Sequence, residues 1–216
     1  MRVSLKQIPS KQLDKRERIL EAAIRVFARK GFYDSKVSHI AKEANVADGT
    51  IYLYFHNKED LLIHVFEESA NRFIQHLRAE LAKERDSAEK LRKLIAMHLD
   101  LVKHHPELAQ VIQIELRSSS KFMKGYQRGK FLDYLNMIAE VIAQGQKEGI
   151  FRADLTPGFL KRVLFGMLDT IALHWVLAKK KKHPLEYYTK QVTDLVLGGL
   201  VHSDIAPKTE NLRVQA

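Results

Sequence analysis

Three hydroxyls, a glycine and a lysine crowd one short stretch of this chain, VADGTIYLYFHNKED, residues 46–60. Thr50, Tyr52 and Tyr54 carry O–H groups that can bond phosphate oxygens, and Lys58 adds a cation just beyond them. A tyrosine ring or the Leu53 side chain can also meet a thymine methyl. Gly49 has no side chain, so a helix beginning there can bring its unpaired N–H groups close to a phosphate. This is the chemistry of recognition, in which contacts form and no covalent bond changes. The aromatics have a plainer use as well, because on a short helix they can pack inward. Ile51 and Phe55, four apart on one face, read as anchors; Tyr52 and Tyr54 stay open between the two uses.

Residues for bond-breaking chemistry are scarce. The chain contains no P-loop, no G-x-S-x-G and no H-E-x-x-H. It has no cysteine, hence neither a disulfide framework nor a thiolate. His104-His105 precede Pro106 with no evident carboxylate at ligand spacing. The expectation is a protein that is not an enzyme, with no catalytic residue, no metal site and no cofactor.

The elements that must position the 46–60 stretch are helical, because apolar residues recur at spacings of three and four almost everywhere. A first helix is expected from the N-cap Asp14 to Lys30, stopped by Gly31, with Ile19, Ala22, Ala23, Val26 and Phe27 inward. A second covers Ser38 to Ala44, a turn Asn45-Val46-Ala47 follows, and a third runs from Asp48, its cap, to about Phe55. Two short helices joined by a tight turn and braced by a third make a helix-turn-helix unit. Asn57 then caps a long fourth helix, with Asp60 at the capping-box position. Further helices are expected over residues 58–83, 88–104, Pro106 to Arg117, 121–148 as one or two pieces, Thr156 to Lys181 and Pro184 to Val201. The fold class is therefore all-α, with about nine helices. The division is a DNA-binding head over residues 1–57, a ligand-binding and dimerisation body over 58–203, and a flexible tail over 204–216.

Charge agrees with a polyanionic partner. The chain carries +10, and residues 1–30 hold nine Lys/Arg against three Asp/Glu. The arm with Lys6, Lys11, Lys15 and Arg16 can follow a phosphate backbone, or it can be solubilising charge. The N-terminus has no apolar signal core, and the longest apolar run, Val163 to Ala178, is short of the ~20 residues that span a bilayer and carries Asp169 and His174. The expected compartment is the cytoplasm. Membrane-surface binding through the arm, the competing class, would need more bulky apolar residues than Val3, Leu5, Ile8 and Leu13.

Ile40-Ala41, Ala44, the run Val46 to Tyr52, Tyr54-Phe55 and Asn57 to Leu61 together resemble the signature of the TetR family of bacterial transcriptional repressors. The likeness covers about residues 14–62. It departs at Asn45, where glycine is usual, although asparagine also tolerates the left-handed conformation. The resemblance implies DNA contacts from Lys36, Ser38, Asp48, Gly49, Thr50, Tyr52, Leu53, Tyr54 and Lys58. It also implies a homodimer on a near-palindromic double-stranded operator and a body that binds a small hydrophobic effector.

A narrower likeness lies in QIELRSSS and FGMLDTIALHWVL, which, with the head, resemble the fatty-acyl-CoA-responsive repressors of FadR type within that family. Those repress fatty-acid degradation genes and leave DNA when a long-chain acyl-CoA binds. The implied site is an apolar tunnel, for which the candidate lining is Leu101, Ile112, Leu116, Leu135, Ile138, Phe165 and Leu168, with Glu115, Arg117 and Asp169 as polar groups at its mouth. Lys103, Arg117, Lys121, Lys124, Arg128 and Lys130 are the basic groups available to CoA phosphates. Internal pairing or solvation is the alternative use for each of these charges, and a different hydrophobic effector is the alternative ligand. On the last two helices Val163, Met167, Ile171 and Trp175, with Tyr188, Val192, Leu195 and Val196, form stripes that suit an isologous four-helix dimer interface, or closure of the monomer core, or both. Lys179 to Lys182 reads as a solvated helix end.

Overall fold

The computed structural model describes residues 14–118 and 129–201. Lys6 and Lys11 of the arm, Lys121, Lys124 and Arg128, and the tail 204–216 lie outside the described residues.

Among the described residues there are nine α-helices: α1 Lys15–Asp34, α2 Val37–Ala44, α3 Asp48–Tyr52, α4 Lys58–Leu81, α5 Ser87–His104, α6 Pro106–Gln110, α7 Gly129–Lys147, α8 Pro157–Leu177 and α9 Leu185–Leu200. Between α6 and α7 the chain continues as a π-helical turn, Val111–Glu115, and a 3₁₀ turn, Leu116–Ser118. The one extended pairing among the described residues is a bridge from Phe151 to Val201, which ties the end of α9 to the α7–α8 link.

Two apolar cores organise these helices. The head-side core joins Ile19, Phe27, Ile40, Ile51 and Phe55 with Leu61, Leu62 and Val65 at the start of α4, and with Val111 and Leu116 from the turns after α6. The body core is built from α4, α5, α7, α8 and α9, with Leu77, Leu91, Leu99, Ile138, Ile142 and Leu168 among its most deeply buried members. Leu135 and Phe165 pack against both cores and mark the seam.

Local sequence sets most of the boundaries. Asn57 Oδ1 accepts the Asp60 N–H at 2.8 Å, which starts α4 at the expected cap. Asp60 reaches back one residue further than a standard capping box, accepting from His56 N–H at 3.0 Å. Thr156 Oγ1 caps α8 through the Phe159 N–H, and Pro157 takes the first turn. Asn45 holds the left-handed turn conformation at φ 53° and ψ 54°, as its tolerance for that region allows.

Four boundaries differ from expectation. Asp48 is the first residue of α3, with Ala47 at the cap position, and its carboxylate favours the helix through the dipole, whereas Asp14 holds the expected N-cap position of α1 without a side-chain cap hydrogen bond. The third helix stops at Tyr52 rather than Phe55. Gly31 (φ 74°, ψ 163°) breaks α1 internally, after which one more turn carries Phe32 and Tyr33. The helix opened by Pro106 keeps α geometry only to Gln110, because the next residues widen into the π turn.

Candidate DNA-binding face and effector core

The head's outward face collects the predicted contact residues. Lys36, Ser38, Asp48 and Tyr52 line one shallow concavity between the starts of α2, α3 and α4, with Lys58 and Asn57 on its edge. Tyr52 is 57% exposed and Leu53 81%, while Ile51 and Phe55 are fully buried beneath them. Tyr54 is less open at 37%, its ring lying beside Phe55. Gly49 has open space where a side chain would stand, and Thr50 is half-buried at the same end. Sequence reasoning missed Tyr33, an aromatic on the last turn of α1 that is 74% exposed; periodicity gave no signal for it because Gly31 resets the helix phase.

Lys58 has another use. Its ammonium donates to the carbonyls of Phe32 (2.6 Å), Tyr33 (3.1 Å) and Ser35 (2.7 Å), and sits 4.6 Å from the centre of the Phe32 ring. An ammonium has three donors, and three carbonyls fill them. Lys58 therefore secures the α1–α2 corner, and its partial burial holds its pKa below the usual lysine range. All three donors of its ammonium are thus engaged within the head.

The body residues proposed for the effector divide between the two cores. Leu116 is buried on the head side with Ile112 beside it, while Ile138 and Leu168 lie deep in the body core with Leu101 against it. Leu135 and Phe165 join the two sets. The polar candidates also separate. Asp169 accepts from Arg117 at 2.5 Å and from Gln113 Nε2 at 3.2 Å, so a polar knot closes the seam between the π turn and α8. Glu115 faces away from that knot, toward the head, where it accepts the Phe32 N–H at 2.7 Å. One helical turn earlier, Gln110 donates to the Ala28 carbonyl at 2.7 Å. The extra residue in a π turn rotates every side chain after it, which an α-periodic reading of VIQIELR cannot anticipate. Of the basic groups considered for CoA phosphates, Lys103 pairs with Glu186 and Lys130 with Asp133.

Beside the seam lies a buried aromatic and polar cluster that sequence reasoning did not single out. His98 Nδ1 and the Tyr134 hydroxyl share a 2.7 Å hydrogen bond; the Phe73 ring packs on Tyr134, Phe165 meets both rings, and Phe131 stands edge-on to Phe165. Burial lowers the His98 pKa to about 4, with Asp169 opposing weakly, and raises that of Tyr134 above the usual phenol range. Both groups are neutral at physiological pH. His104, expected to lack a carboxylate neighbour, has one: Asp100 Oδ1 lies 3.1 Å away on the preceding turn of α5.

The residues of the dimer stripe divide between the core and the surface of this chain. Met167, Ile171, Trp175 and Tyr188 lie against the body core, and Val192 and Val196 are buried in it. Val163 (41%) and Leu195 (67%) are exposed, beside Phe159 (54%), and Met167, Ile171, Trp175 and Tyr188 keep part of their surface open, so both uses of the stripe remain available. The helix α8 is apolar around most of its circumference, so a three-four spacing selects more than one face.

The comparisons with known proteins decide what this arrangement belongs to. Residues 19–65 match the profile of bacterial regulatory proteins of the tetR family, and residues 66–199 match that of the YsiA-like protein C-terminal region. The chain belongs to the TetR family. It is 35% identical over 182 residues to the fatty acid metabolism regulator protein of Bacillus subtilis (strain 168), covering 84% of this chain and 93% of the relative. The fatty acid degradation regulator FadR from Bacillus halodurans has a similar structure, with a TM-score of 0.79 and 38% identity over 89% of this chain and 99% of that one. FadR from Bacillus subtilis, solved in complex with stearoyl-CoA, gives a TM-score of 0.77 and 34% identity, over 86% of this chain and 99% of the other. This TetR-family chain thus shares its fold, over 86–89% of its length, with FadR-type regulators of fatty acid metabolism. No described helix is long and apolar enough to cross a membrane.

The buried His98 sets a pH dependence. Its pKa is about 6.5 when unfolded and about 4 when folded, so between those values only the unfolded chain takes up the proton. Its stabilising contribution is complete above pH 6.5 and is lost as pH falls toward 4. Denaturant melts across this range should show His98→Gln, which keeps a hydrogen-bonding partner for Tyr134, losing about 1–3 kcal/mol less stability on acidification than the wild type.

Proposed function

We propose that this protein is a cytoplasmic homodimeric repressor that binds near-palindromic operator DNA through its helix-turn-helix heads and leaves it when a long-chain fatty acyl-CoA occupies the body. The observation that carries the proposal is the union of two features in one chain. A solvent-facing Tyr52–Leu53 tip stands on a TetR-type head, and the body is similar throughout to a FadR solved with stearoyl-CoA. The regulated genes are those of fatty-acid degradation.

In the head, Lys36, Ser38, Thr50, Tyr52 and Tyr54 bond phosphates, and Tyr52 and Leu53 meet base edges in the major groove. Gly49 admits the backbone of the α3 N-terminus to the DNA surface. Asp48 orders the start of α3 through the helix dipole. Two heads must stand about one turn of DNA apart, ~34–36 Å, to read a palindrome. Dimerisation joins α8 and α9 to their symmetry mates through the outward face of Phe159, Val163 and Leu195, which meets open space at Gly166, Gly198 and Gly199.

The acyl chain enters the seam at Leu135 and Phe165, between the helices that carry His98, Tyr134 and Asp169. Parting that seam strains the Asp169–Arg117–Gln113 knot and displaces the π turn, whose other side holds α1 through Gln110 and Glu115. The heads then leave the spacing that DNA requires. Coupling of this kind is reciprocal: DNA weakens acyl-CoA binding by the same free energy by which acyl-CoA weakens DNA binding.

Two measurements test the proposal. Titrating palmitoyl-CoA into a complex with a labelled operator fragment from the chain's own promoter should release the DNA; unchanged affinity at saturating ligand would remove the effector assignment and leave DNA binding intact. Tyr52→Ala should cost ~1–3 kcal/mol of operator affinity in the same assay, with the fold preserved by circular dichroism. An unaltered affinity would assign Tyr52 a purely structural part.

A further inference from the structure

The turn that joins α8 to α9 encloses a cavity of about 430 Å³ that the function above does not use. Its apolar wall is Ile171, Trp175 and Tyr188, and its polar rim includes Lys180, Lys182 and His183. No carboxylate among the described residues lines it. The Trp175 and Tyr188 rings meet edge to face at 6.4 Å, and His183 on the rim stacks on Tyr187 at 4.3 Å. The run Lys179–Lys182, which reads from sequence as a solvated helix end, is divided by the fold into two roles.

Lys181 is structural. Its ammonium lies 4.8 Å from the centre of the Trp175 ring and donates to the carbonyls of Trp175 and of Ala178, the latter at 3.0 Å. That fixes the turn and orients the indole. Lys180 and Lys182 are exposed on either side of it and form no ion pair among the described residues. Two uncompensated ammonium groups thus stand at the edge of an aromatic-walled cavity of the size that accepts small organic ligands. Lysine ammoniums suit phosphate as compact point charges, and aromatic walls suit a planar heterocycle.

We propose that this cavity binds a nucleoside diphosphate group, with the base against Trp175 and Tyr188 and the phosphates at Lys180 and Lys182. The chemistry is shared by a free adenine nucleotide and by the nucleotide end of coenzyme A, and the test separates them. No acyl chain is required, so the site stands apart from the acyl-CoA reading.

Trp175 is the only tryptophan in the chain, so its fluorescence reports the cavity directly. Titrating the full-length protein with ADP should change that emission saturably, with adenosine at least tenfold weaker because it lacks phosphates. The variant K180A/K182A should weaken ADP at least tenfold while its circular dichroism stays that of the wild type; single K180A and K182A variants serve if the double one unfolds. Unacylated coenzyme A binding alongside ADP identifies the shared nucleotide group as the ligand chemistry. ADP binding with coenzyme A silent identifies a free nucleotide. Either outcome supports the site. No emission change or calorimetric heat with ADP, or full ADP affinity in the lysine variants, overturns it. Release of operator by palmitoyl-CoA is measured separately, so failure here leaves that result as it stands.

Discussion

The carboxylate of Glu115 accepts the Phe32 N–H at 2.7 Å, joining segments 83 residues apart, and much of the structure is arranged around that contact. Gly31 makes it possible by breaking α1 at φ 74°, which turns the Phe32 amide out of the helical ladder and leaves it needing an acceptor. Lys58 supports the same corner from below by filling the carbonyls of Phe32, Tyr33 and Ser35. The π turn supports it from the body side, since its extra residue is what presents Glu115 to α1 while Gln113 and Arg117 point to α8. This short segment has one face on the head and the other on the body core. The ion pair Arg117–Asp169 is partly exposed and contributes little stability alone, so its value lies in position.

This segment lies where two apolar cores meet. Each is a closed apolar cluster, and they meet chiefly at Leu135 and Phe165. Close-packed interiors resist continuous deformation, whereas a seam between two such blocks can shift as a unit. His98 and Tyr134 lie beside that seam as a neutral hydrogen-bonded pair, giving it polarity without charge.

Much of the head was legible in sequence because its cues are local. The Asn45 turn, the Asn57 cap and the Ile51/Phe55 anchors depend on neighbours within five residues, and each stands as expected. Helix existence in the body was legible for the same reason. The features that were not legible depend on phase or on distant partners. Glu115 turned toward the head because a π turn rotated it, and Lys58 was claimed by carbonyls more than twenty residues earlier. His98 and Tyr134 carry no spacing signal at all, being 36 residues apart and joined only by folding. Lys180 and Lys182 look like ordinary surface charge until the turn sets them beside an aromatic wall.

Amide hydrogen exchange at Phe32, measured on the intact dimer with and without saturating palmitoyl-CoA, tests the central claim that the body's state reaches the head through Glu115. The account predicts that the effector lowers Phe32 protection severalfold, that amides in the centre of α4 change little, and that Glu115→Gln narrows the difference. Equal Phe32 protection in both states, with operator release still occurring, would contradict it.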